Sequence, residues 1–70
     1  MNIDSTYKIL KDAIENHQNS TVRTIDGYYT FNFTNDGAKI EYMKDVLIIE
    51  TEGSMTYINP EPIISIQVVK

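Results

Sequence analysis

SMTYINPEPIISIQVVK occupies residues 54–70, and its middle decides how the chain folds. The strand-like run Met55–Ile58 stops at Asn59-Pro60-Glu61-Pro62, and a second run, Ile63–Val69, begins at once. Proline holds φ at about −65° and has no N–H to give to a strand ladder. It also pushes the residue before it out of the helical region. A tight primed hairpin needs positive φ, which this segment does not supply. The segment therefore reads as a single stiff turn of 3₁₀ type that redirects the chain sharply. The strands on either side need not pair with each other, and the last is free to cross to another part of the sheet.

Upstream, the hydrophobic period changes once. Ile3, Tyr7, Leu10, Ile14 and His17 recur at spacings of four, three, four and three, which is one face of a helix. Ala13 widens that face, and the spacing predicts a helix over residues 4–18. Asp4 or Ser5 is the expected N-cap, since either side chain accepts from a free backbone N–H. His17 is expected as a partly buried cap on the stripe. A helix this short is marginal alone, so its apolar face must dock on something.

From Thr21 to Val69 the period is two. Thr21–Ile25 and Tyr28–Phe33 flank Asp26-Gly27, a strong hairpin signal. Tyr29, Phe31 and Phe33 fall on one face of the second run; Tyr28, Thr30 and Asn32 fall on the other. Thr34-Asn35-Asp36-Gly37 is a second turn, followed by alternation from Ala38 to Met43. Val46-Leu47-Ile48-Ile49 is apolar on both faces, which predicts cover on both sides. The fold class is α+β, mostly β: an N-terminal helix, then about five antiparallel strands in one domain spanning residues 1–70. So many short strands in so small a chain favour a small SH3-like barrel or a strongly bent sheet, because a flat open sheet leaves one apolar face wet.

A resemblance attaches to this layout. Tyr57-Ile58-Asn59-Pro60-Glu61-Pro62-Ile63-Ile64-Ser65-Ile66 is collinear with the hydrophobic frame of the second motif of the Sm/Lsm family. In that family a helix precedes five strands and a short 3₁₀ turn joins the last two. Glu41 to Ile48 resembles the end of the family's first motif, and Gly27 matches its strand-one glycine. The resemblance implies a ring-forming small barrel that binds RNA. The family's nucleotide pocket uses an Asn in the first motif and an Arg-Gly in the second. Those places hold Lys44 or Asp45, and Asn59-Pro60, in this chain.

Composition narrows the function classes. The chain has 70 residues, no cysteine, one histidine and a formal charge of −4. A domain of this size buries only about 60% of its unfolded surface, so it is marginal and gains from partners. Disulfides and thiolate zinc sites are excluded, and one histidine builds no His-rich metal site. The acidic balance disfavours RNA, whose phosphates are held by Lys and Arg. The longest apolar run is too short to span a bilayer, and MNIDSTYK lacks the basic and apolar regions of a signal peptide. The expected location is the cytoplasm.

No residues stand at the spacing of a nucleophile and base, a metal set or a phosphate loop. Glu50 and Glu52 are the nearest approach to a carboxylate pair, and they read as a solvated strand end. No enzyme activity and no cofactor are implied. Tyr28 stands opposite the Phe31 face and suits a protein–protein contact, where tyrosine is enriched. Few charges guard Tyr28–Phe33 or Ile63–Val69, which predicts self-association through edge strands. The expectation is a non-enzymatic, homo-oligomeric interaction module that binds another protein through an acidic, tyrosine-bearing surface. Its candidate binding residues are Tyr28, Lys44, Asp45 and Asn59, and the second reading is an Sm-like RNA-binding ring.

Overall fold

The computed structural model describes residues 1–69 and contains one helix and six strands. Helix α1 runs Ile3–Glu15. Its N-cap is Asn2, neither Asp4 nor Ser5: the Asn2 side-chain oxygen accepts from the Ser5 N–H at 2.8 Å. Asp4 instead lies in the first turn, where a carboxylate suits the positive end of the helix dipole. The helix also ends earlier than residue 18. The Gln18 N–H donates to the Ala13 carbonyl (2.9 Å) and the His17 N–H to the Ile14 carbonyl (3.1 Å). This is a Schellman motif, and it sets His17 in the left-handed region at φ 54°. His17 thus leaves the apolar stripe and is exposed.

The buried face of α1 is centred on Thr6, Leu10 and Ala13, with Ile3, Tyr7 and Ile14 packed beside it. Thr6 escaped the hydrophobic pattern because it is polar. Its hydroxyl donates to the Asn2 carbonyl at 2.7 Å, so burial leaves it satisfied.

The strands form two antiparallel sheets of three. The first contains β1 (Ser20–Thr24), β2 (Gly27–Phe31) and β6 (Ile63–Val68), in the order β2-β1-β6. The second contains β3 (Lys39–Met43), β4 (Val46–Thr51) and β5 (Ser54–Ile58), in the order β3-β4-β5. The architecture is α+β with mostly β, and the two sheets do not join into one closed ladder. The proline turn behaves as its chemistry dictates. Its Ile63 N–H donates to the Pro60 carbonyl (3.0 Å), and the Asn59 side chain accepts from the Glu61 N–H (3.0 Å). β5 and β6 do not pair; β6 crosses to the far side of β1.

Two local readings shift. Thr24 pairs with Gly27, so the first hairpin turns on Ile25-Asp26 and Gly27 opens β2. The Asp26 N–H donates to the Thr24 hydroxyl (3.3 Å), which also donates to the Gly27 carbonyl (3.3 Å) and steadies that turn. β2 stops at Phe31, yet Phe33 lies just beyond it and is fully buried. Tyr29, Phe31 and Phe33 stack along one face, with ring centroids 6.3 and 5.7 Å apart. The connection from β2 to β3 therefore swings around a buried aromatic anchor.

The core sits between the sheets and under α1. Leu10 and Ala13 come from the helix, Val22, Phe31 and Ile63 from the first sheet, and Leu47, Ile49 and Ile58 from the second, with Phe33 between them. Register explains this division. Val22 faces Tyr29 and Ile66, while Ile49 faces Ile40 and Thr56, so each sheet turns one alternating set inward. β4 is the central strand of its sheet and buries Leu47 and Ile49 completely. Val46 and Ile48, on its opposite face, are half-buried. No helix among the described residues is long and apolar enough to cross a membrane.

Candidate functional site

The two hairpin-end turns come together with the start of the chain. Asp45 lies in the two-residue turn between β3 and β4, since Met43 pairs with Val46. Asn59 begins the proline turn. Both line a shallow cleft of about 350 Å³, together with Met1, Asn2, Ile3 and Pro60. The terminal ammonium of Met1 approaches the carbonyls of Pro60 (3.4 Å), Glu61 (3.4 Å) and Ile63 (3.5 Å). Asp45 and Glu61 supply carboxylates here, and no Lys or Arg among the described residues lines the cleft.

Two residues that the sequence had separated by 14 positions are thus brought together. The other two candidates are not. Lys44 is the neighbour of Asp45 at the hairpin apex but does not line the cleft; it is exposed, with φ 54°. Tyr28 belongs to the outer face of the first sheet, opposite Arg23. Its side chain is 69% exposed, and it does not belong to the cleft.

A larger cleft of about 560 Å³ lies between α1 and the second sheet. Tyr7 lines it and meets Tyr42 edge to face, with centroids 5.1 Å apart, and the Lys11 ammonium stands 5.6 Å from the Tyr7 ring centre. Glu15, Lys39, Glu41 and Glu50 surround a floor that includes Ile40 and Ile48. Sequence reasoning did not pair Tyr7 with Tyr42. The available signal was that Tyr7 lies on the helix stripe and so must meet a strand. His17 and Asp36 approach within 3.6 Å, linking the helix exit to the β2–β3 connection; both are well exposed, so the link is weak.

Glu50 faces Met55 across the ladder, and Glu52 occupies the following turn. Both are exposed. No three carboxylate or imidazole side chains converge on one point among the described residues.

No protein-family model, curated protein or solved structure matches this chain. Function has to be argued from charge placement, exposed rings and strand edges.

Proposed function

We propose that this chain is a non-enzymatic interaction module that associates with its own copies through strand edges and presents an acidic, tyrosine-bearing surface to another protein. One observation carries the reading. Of the four strands at sheet edges, β2, β5 and β6 carry no charged residue, while β3 carries Lys39 and Glu41. β3 is also the edge against which α1 packs. Soluble proteins usually blunt free edges with charge, proline or a covering segment. Here the charges fall on the strand that α1 packs against, and the other three edge strands carry none.

Carboxylates crowd the turns instead: Asp26, Asp36, Asp45, Glu52 and Glu61 all lie between strands. That placement favours a basic partner, with Tyr28 and Tyr42 as exposed rings at the contact. The two sheets, the crossing of β6 to β1 and the proline turn support an SH3-like, Sm-like barrel with open seams. The test is native mass by light scattering at two protein concentrations. Association that grows with concentration is expected. A monomer at every concentration sinks the self-association.

The meeting of Asp45 and Asn59 in one cleft favours a second reading, the Sm-like RNA-binding ring. These turns correspond in order to the two family motifs that hold a nucleotide. The cleft's two carboxylates, Asp45 and Glu61, argue against it. Titration with U-rich and A-rich RNA at low salt decides: saturable binding by a hexamer or heptamer would displace the first reading.

A further inference from the structure

Resting on the reading that the chain self-associates, we infer that β5 is the edge that does so, pairing antiparallel with β5 of a second copy about a two-fold axis through Thr56.

The four edges differ in what they allow. Self-pairing of β3 about its central residue sets Glu41 against Glu41, a repulsive pair directly opposite, and α1 packs against this strand. β6 changes register between Arg23 and Thr24 of its partner: Arg23 pairs with Ser65 and Thr24 with Ile63, so Ile64 is an extra residue. Such a bulge twists the strand and spoils it as a template. β2 opens with Gly27, which has no side chain to pack across a new strand. β5 has none of these defects. Its five residues, Ser54-Met55-Thr56-Tyr57-Ile58, keep unbroken register with β4 and include no charge, glycine or proline.

β5 is also complementary to itself. A two-fold axis normal to the sheet keeps outer faces together only if each residue opposes one of the same parity. Centring on Thr56 uses all five positions. Met55 then opposes Tyr57 of the other copy, twice. Both side chains are on the outer face, 53% and 63% exposed, and thioether–aromatic contact is favourable. Ile48 lies beside Tyr57 on that face, so pairing extends an apolar strip that one copy leaves open.

Charge permits the contact as well. The nearest outward carboxylate is Glu50, across from Met55. Between copies, the two Glu50 side chains are separated laterally by three strand spacings, about 14 Å. That exceeds the Debye length of about 8 Å at physiological ionic strength. A closed dimer is the product, since a two-fold contact uses the same edge on both copies.

The absence of cysteine makes the test specific. Two variants of the full chain, Met55→Cys and Tyr57→Cys, are kept reduced and then oxidised, each alone and as an equimolar mixture. Opposed cross-strand positions are close enough for a disulfide. A covalent dimer from the mixture, with far less from either variant alone, is the expected result. Tyr57→Lys adds a second check at an exposed position, where folding is not threatened. It places two lysines at diagonal positions about 7–8 Å apart across the axis, removes both Met55–Tyr57 contacts, and should raise the dimer dissociation constant several-fold. Circular dichroism confirms that the variants fold. Cross-linking of Met55→Cys with Gln67→Cys on β6 instead would mean head-to-tail pairing and overturn this inference while keeping self-association. A wild-type chain that stays monomeric at every concentration overturns both.

Discussion

Ser20 offers the sharpest test of the packing. It opens β1, faces Phe31 on one side and Val68 on the other, and is 1% exposed. Its hydroxyl oxygen has no hydrogen-bond partner among the described residues. A buried polar group left unmatched costs about 1–3 kcal/mol. Ser20→Ala removes that group and keeps the β-carbon. The void left by one oxygen is on the order of 10 Å³, which at roughly 24 cal/mol per Å³ returns only about 0.2 kcal/mol of the gain. The net expectation is stabilisation of about 1 kcal/mol. That is a large fraction of what a domain this size holds, roughly 4–10 kcal/mol.

Urea unfolding followed by circular dichroism reads the effect. With a slope of about 1 kcal/mol/M, the midpoint should rise by up to about 1 M with the slope unchanged. A thermal melt should shift upward by about 4–8 °C. Protein concentration is held constant, because association with other copies would also move both midpoints. A loss of 0.5 kcal/mol or more, as a rough threshold, would refute the reasoning, since it would mean that the hydroxyl is engaged in the folded protein.

Four further expectations follow from the same geometry. Leu47→Ala empties a fully buried position and should cost about 2–5 kcal/mol, enough to leave much of the chain unfolded at 37 °C by circular dichroism. Asn2→Ala removes the helix cap and should cost about 0.5–2 kcal/mol in urea unfolding, whereas Asn2→Asp should retain most of it. Lys44→Gly relieves a left-handed residue at the hairpin apex and should raise stability by up to about 1 kcal/mol, read as a higher thermal midpoint. If the chain self-associates, the wild-type thermal midpoint should climb as protein concentration is raised a hundredfold, and a flat response would count against association.

Much of the fold was legible because period and proline chemistry are local. The alternation of Tyr29, Phe31 and Phe33 set those rings on one face, and they do stack. Two prolines around Glu61 argued against a hairpin, and β6 does leave β5 for β1. The helix end was less legible. Left-handed C-terminal positions are usually glycine, and here His17 takes one, at a place where its spacing fitted the stripe. Thr6 was missed for the opposite reason: a hydroxyl that bonds to its own helix can be buried like an apolar group. The break between β2 and β3 was also obscured, because Phe33 continues the inward alternation after the ladder has ended.

The candidate site was legible only in part, and for a topological reason. Asp45 and Asn59 lie in different turns, and nothing local says that two turns share an end of the molecule. They meet because β4 and β5 form one hairpin: Leu47 opposite Ile58 brings the start of β4 beside the end of β5. The motif frame pointed to the same two turns by collinearity, without giving the chemistry of the cleft between them. That chemistry is amide, carboxylate and the terminal ammonium. Five carboxylates gather at the turns while β2, β5 and β6 carry no charge, and the proposed pairing of β5 with a second copy draws on that distribution.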